Sequence, residues 1–355
     1  MYVISGDTRL RTDIMSLPKE IKVFYLPERK FKEPRISFIS NLIRLPLISN
    51  KLKTILGEIK PDILHAHSLL YGLWGAKACY HPFIVTPYGS DAIIYTRKYK
   101  LYRELARYTY KKADLITQDS LECQKVSREL GIPTDKSVII QNGVDTTRFN
   151  PSVNGMNIRR NLRISEKTFL IFHCRDMKPL YNVENVIQSF YLFQRKNNNA
   201  KLVLAYLLQG TEYEKKIISL SESMGIKDKV LFYGRINYDD MPAFHAASDI
   251  HLSIPLSDSM PSSVTEAMAT GRPVIISRLP WTEYCMEENK NCLLVDPHNP
   301  EEISNAMFTI YSSQRLKNNL IQNGIHTVKK YVDYHRNMDM MEHLMEDLIK
   351  KVRHV

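Results

Sequence analysis

Cysteine is scarce in this chain of 355 residues and shows no pattern. Cys79, Cys123, Cys174, Cys285 and Cys292 form no CxxC spacing, so neither a zinc site nor a disulfide framework is indicated, and a reducing cytoplasm fits. No apolar run approaches the roughly 18 residues of a membrane span. The N-terminus, MYVISGDTRLRTD, lacks the charged-then-apolar order of a signal peptide. No GxGxxG follows a strand-like segment, which argues against a dinucleotide-dependent oxidoreductase. There are no internal repeats, and low complexity is confined to Asn197-Asn198-Asn199.

What is present suits a globular protein large enough for two cores, with 44% hydrophobic and 25% charged residues. The net charge of +11 is uneven: residues 1–155 carry 24 Lys+Arg against 15 Asp+Glu, and the remainder 25 against 23. A basic half points to an anionic partner. The cations are dispersed and no nucleic-acid module is recognisable, so an anionic membrane surface is preferred over nucleic acid.

Strand-like and helix-like segments alternate, the pattern of parallel sheets covered by helices. MYVIS and IKVFYL read as strands. SFISNLIRLPLISNKLKTILGEI reads as helical with a break at Pro46. Its apolar residues, interleaved with Arg44, Lys51 and Lys53, suit either a membrane interface or ordinary packing on a sheet. PDILHAHSLLYGLWGA ends a short strand on His65 and His67, which alternate positions place on one side. Metal ligation, polar core packing and substrate contact are all open to such a pair, but no third ligand stands at a recognisable spacing. FIVTPYGSDAIIY closes a strand on Asp91, a residue able to cap a helix. The second half alternates cleanly, and the tail from Lys329 to Val352 reads as one amphipathic helix.

The chain is organised around Ser248–Val274, SDIHLSIPLSDSMPSSVTEAMATGRPV. It reads as strand, loop, helix, turn and strand. Pro261 suits the first helical position, and Ser262 and Ser263 place backbone N–H groups and hydroxyls where the helix dipole favours an anion. Gly271 ends the helix. Asp258 and Glu266 frame this anion site, although acids near helix starts are also common without a ligand.

This stretch resembles the donor-binding signature of the retaining GT-B glycosyltransferases of family 4, in which two Glu residues with seven between them precede EAMA-x-G-x-PV. EAMATGRPV is present and Glu266 matches the second Glu; Asp258 replaces the first. The resemblance extends from about Pro61 onward. It implies an α/β fold of two Rossmann-like domains with parallel sheets facing across a cleft. Asn142-Gly143-Val144-Asp145 with Phe149 and Pro151 matches the segment that closes the first domain. The expected organisation is an acceptor domain over residues 1–152, a donor domain over 153–328, and a helix over 329–355 crossing back to the first.

The resemblance further implies metal-independent transfer of a sugar, with a nucleotide-sugar as substrate, a UDP-sugar expected, and no cofactor. The absence of any Asp-x-Asp agrees with this. Arg175 matches the Arg that grips the donor diphosphate. The accompanying Lys is replaced by Tyr181, so Lys178 in the same loop is the candidate to supply that charge. Pro261, Ser262 and Ser263 would meet the diphosphate, Glu266 the ribose, Asp258 and His67 the transferred sugar, Gly234 the base, and Asp91 the acceptor. The basic charge of the first half makes a lipid-linked or polysaccharide-type glycan, at the inner face of the membrane, the preferred acceptor class. The two departures, Tyr181 and Asp258, leave open a non-catalytic protein that binds a nucleotide-sugar or a partner. Finally, MYVISGDT resembles the second strand of such domains and no Gly-Gly pair occurs in the first sixty residues. The first domain is therefore expected to be one strand–helix unit short.

Overall fold

The computed structural model describes residues 2–5, 21–28, 34–207 and 209–353. They form two compact units. One comprises residues 1–118, 123–139 and 342–355; the other comprises 119–122 and 140–341.

In the first unit, β1 (Tyr2–Ser5) pairs in parallel with β2 (Lys22–Tyr25), and β3 (Leu64–His67), β4 (Phe83–Thr86), β5 (Leu115–Gln118) and β6 (Ser137–Ile139) form a separate parallel sheet in that order. Among the described residues no strand joins β1 to β3, so MYVIS is not an inner strand of the larger sheet. The segment between β1 and Lys22, on which the expectation of a missing helix also turned, lies outside the described residues. Helices α1 (Pro34–Ile43), α2 (Leu45–Ile59), α3 (Leu69–Ala78) and α4 (Lys100–Lys112) belong to this unit, as does α5 (Leu121–Glu129) from Cys123 onward. The break between α1 and α2 falls at Arg44 rather than Pro46. Pro46 sits inside the first turn of α2, where its missing N–H has no intrahelical partner to lose. One face of α2 buries Ile48, Leu52, Ile55 and Leu56 in a cluster with Trp74 of α3.

The second unit carries six parallel strands in the order β12-β11-β10-β7-β8-β9. They are β7 (Phe169–His173), β8 (Ala200–Ala205), β9 (Val230–Gly234), β10 (Ile250–Ser253), β11 (Val274–Ser277) and β12 (Leu293–Val295). Strands β7, β10 and β11 are buried along their whole length, as expected of a sheet covered on both faces. The covering helices are α6 (Met156–Asn161), α7 (Val183–Lys196), α8 (Glu212–Ser223), α9 (Met241–Ala247), α10 (Ser262–Ala269), α11 (Pro300–Ser312) and α12 (Gln314–Tyr331). Ile171, Phe190, Leu202, Ile217, Ile250 and Met307 are fully buried in the main core cluster.

The expected single helix from Lys329 to Val352 is instead two, α12 and α13 (Tyr334–Arg353). The break has a long-range cause. Val144 N donates to Val332 O at 2.8 Å and Tyr334 N donates to Val144 O at 3.1 Å, so a passing segment takes the place of the helical ladder. Asp333 then accepts from Arg336 N at 3.1 Å as the cap of α13. Among the described residues no helix is long and apolar enough to cross a membrane.

Candidate functional site

Strand β7 lies between β8 and β10, so the chain departs from β7 and β10 toward opposite halves of the sheet. Open parallel sheets hold ligands beyond the C-terminal ends of two such strands. Here the loops after β7 and β10 bring Arg175, Tyr181 and Asp258 together. Arg175 Nη2 donates to Asp258 Oδ2 at 2.5 Å, and its guanidinium lies 4.4 Å over the Tyr181 ring. Arg175 Nε is buried with no acceptor. Burial raises the Asp258 carboxyl above its usual range, with Arg175 acting in the opposite direction.

Helix α10 starts beside this pair, one residue later than expected. Pro261 has φ −69° and ψ 131° and precedes the helix, and Ser262 is its first residue. No side chain caps the terminus, which leaves the first-turn N–H groups of Ser262 and Ser263 free for an anion. Val264 N is taken by Pro261 O at 3.0 Å. Gly271, at φ +70°, closes the other end in the left-handed conformation that favours glycine. A cavity of about 230 Å³ opens at the terminus, lined by Arg175, Ser259, Pro261, Ser262 and Thr265 with Asn142.

Glu266 projects from α10 toward His245 of α9, with Oε2 3.4 Å from Nε2. His245 is fully buried, with the ring centroids of Phe172 and Phe149 at 5.2 and 6.2 Å from its own in edge-on contacts. Sequence reasoning missed this histidine. Its only signal is a polar ring in the apolar run MPAFHAA, which names no partner.

Other expected site residues are placed differently. Lys178 is half exposed and pairs with Asp176 at 2.9 Å. Gly234 ends β9 at φ +77°, with the Gln209 side chain directly over its Cα. His65, His67 and Asp91 belong to the first unit. His65 Nε2 bonds Thr86 Oγ1 at 2.7 Å, and burial together with His67 lowers its pKa to about 4. The His67 ring stacks 4.2 Å from His65. The next residue, Ser68, has φ +79°, a strained backbone directly after His67. Asp91 Oδ2 accepts from Leu69 N at 3.0 Å, capping α3 rather than the segment that follows it. Among the described residues no group of His, Cys, Asp or Glu could hold a metal ion.

Parallel sheets in two units, with a ligand crevice at the switch point of the second, define a class. The crystal structure of Anabaena HepE in complex with UDP matches with a TM-score of 0.82 and 18% identity, covering 98% of this chain and 92% of that one. Sucrose-phosphate synthase from Thermosynechococcus elongatus matches with a TM-score of 0.82 and 16% identity, covering 99% and 89%. The fold is that of the GT-B glycosyltransferases. Residues 156–327 match the model for glycosyl transferases group 1 and residues 17–148 that for glycosyltransferase family 4; the chain belongs to this glycosyltransferase family. The UDP-Gal:alpha-D-GlcNAc-diphosphoundecaprenol alpha-1,3-galactosyltransferase of Escherichia coli is 24% identical over 331 residues, 88% of this chain and 82% of that one.

Proposed function

We propose that this glycosyltransferase moves a sugar from a nucleotide-sugar, a UDP-sugar by preference, to a lipid-linked or polysaccharide-type glycan, with retention of configuration. One observation carries the reading: Arg175 and the uncapped start of α10 line the same cavity. A diphosphate is the ligand that matches a guanidinium and free N–H groups converging on one point. The relatives supply the rest. The galactosyltransferase from Escherichia coli is named for a UDP-sugar and a diphosphoundecaprenol-linked acceptor, and HepE has been crystallised with UDP-glucose.

In the proposed step the bond between the anomeric carbon and the diphosphate oxygen breaks. An acceptor hydroxyl oxygen bonds to that carbon from the same face, and its proton passes to the departing phosphate. Charge developing on the diphosphate is met by Arg175 and the α10 dipole, so the leaving group needs no metal ion. Glu266 holds the ribose hydroxyls and Asp258 the transferred sugar. The roles of His67 and Asp91 rest on the family resemblance alone.

A second reading, a nucleotide-sugar-binding protein without turnover, is favoured by the replacement of the family's Lys by Tyr181 and by the pairing of Asp258 with Arg175. A thermal-shift screen of UDP-, GDP- and ADP-sugars, followed by assay of nucleotide release from radiolabelled donors with a glycolipid acceptor, separates the two. A shift with release supports transfer, and a shift without release supports the second reading. No shift with any donor overturns both.

A further inference from the structure

The cavity at the start of α10 carries little net positive charge. Arg175 is the one cation among the described residues that line it, and its guanidinium is already shared with Asp258. Asp119 lines the same cavity and accepts from Ser259 Oγ at 2.6 Å. Net charge alone therefore does little to hold a diphosphate here, and its oxygens depend on hydrogen-bond donors.

Gln141 brings a donor that nothing else uses. It lines the cavity and is 6% exposed, and its amide Nε2 is buried with no acceptor among the described residues. A glutamine amide turns end for end without changing shape, so its N–H groups are available to the cavity side. A buried donor left unpaired is unfavourable, and a ligand that supplies an acceptor removes that cost. The local chain does not need this side chain for its own placement. Asn337 Nδ2 donates to Gln141 O at 3.1 Å, and Val144 N donates to Val332 O at 2.8 Å. Main-chain groups thus fix the course of the segment. Arg175 Nε is likewise buried without an acceptor. Two segments therefore each carry an unpaired donor to one cavity, beside the uncapped N–H groups of α10.

We infer that Gln141 is a further donor-binding residue, giving its amide N–H to a diphosphate oxygen of the nucleotide-sugar. The assignment rests on the donor site proposed above. As the bond from the anomeric carbon to the diphosphate breaks, negative charge grows on those oxygens and the hydrogen bond strengthens.

The test is calorimetric titration of the full chain with UDP, GDP and ADP, and then with the matching nucleotide-sugar. Gln141→Met keeps the size of the side chain and removes the donor. It should weaken the diphosphate that binds roughly ten- to hundredfold, the scale of one hydrogen bond to a charged group. The ligand-free variant should melt at the same temperature or higher, because an apolar chain replaces an unpaired buried amide. Gln141→Glu has the same shape but sets an anion against the phosphates, and should lose more affinity than Gln141→Met. Unchanged diphosphate affinity in Gln141→Met would overturn the assignment; so would a lowered melting temperature, the mark of a structural glutamine. A loss confined to the nucleotide-sugar, with the diphosphate unaffected, moves the contact to the sugar and also overturns it. Wild-type protein that binds none of the three diphosphates is a separate failure: the donor site itself falls, and this assignment with it.

Discussion

Arg175 and Asp258, 83 residues apart in sequence, hold each other at 2.5 Å, at the point where the loops after β7 and β10 meet. Both are largely buried, with side chains 14% and 17% exposed. The pair is therefore a structural contact as well as a candidate site. Arg175→Ala should abolish transfer and also destabilise the fold by roughly 1–3 kcal/mol, because it strands a buried carboxylate. Adding Asp258→Asn to Arg175→Ala should recover stability without recovering donor binding. Denaturation of the two single variants and the double variant measures the coupling; additive effects would show that the contact contributes nothing.

Tyr181 occupies the position where the family resemblance implied a lysine, and its ring supports the Arg175 guanidinium at 4.4 Å. Tyr181→Leu should weaken donor binding by about 0.5–2 kcal/mol, the usual range for a cation over an aromatic face, while Tyr181→Phe should be nearly silent. Lys178→Ala should also be mild, since Lys178 is engaged by Asp176. Donor titration by calorimetry checks all three, and a severe loss in Lys178→Ala would return the phosphate contact to that lysine.

His245 stands behind Glu266 in a pocket without water access. If an imidazole N–H orients the Glu266 carboxylate, His245→Phe should raise KM for the donor about tenfold with little change in kcat, the scale of one hydrogen bond to a charged group. His245→Gln, which keeps an N–H donor, should recover part of the loss. Glu266→Gln should weaken or abolish transfer while the protein stays folded. An unchanged KM in His245→Phe alongside an impaired Glu266→Gln would reject the orienting role and leave the Glu266 assignment standing.

Burial lowers the pKa of His65 and His173 to about 4 and that of His251 well below the ordinary histidine value. An unfolded chain, with histidines near 6.5, binds more protons between those limits. Their contribution to stability is therefore complete above pH 6.5 and is lost as the pH falls toward and through 4. His173, fully buried, accounts for on the order of 3 kcal/mol once that loss is complete. Asp91 and Asp258 are shifted upward by burial and act with the opposite sign, in the carboxylate range. Melting temperatures at pH 7.5, 6.0 and 5.0 should fall in that order; a flat or rising series would show that these rings are solvated.

The strand–helix alternation of the second unit was legible because each strand is a short apolar run closed by turn residues. Local chemistry also sets the start of α11, which Asn299 caps by accepting from Glu302 N at 3.1 Å. The helix that carries Ser262, Ser263 and Glu266 was legible for a similar reason, since all three sit on one short segment whose spacing alone sets their geometry. What was hidden depends on partners distant in sequence. The break at Val332–Asp333 comes from Val144, and the neutralisation of Arg175 comes from a loop on another strand. Nothing in MPAFHAA reveals that His245 faces Glu266. The separation of β1–β2 from β3–β6 is a matter of pairing, and strand composition does not encode its neighbour.

Met260 carries a consequence for the dynamics of capture. It has φ +32° immediately before a proline, a combination that side-chain-bearing residues avoid. Its buried side chain, clustered with Val264, Met268 and Trp281, holds it there. The turn leading into α10 is thus held by core packing, so the entropy of ordering it is met during folding rather than subtracted from affinity. Stopped-flow mixing with a donor should then show a single concentration-dependent phase, with no slow rearrangement following encounter.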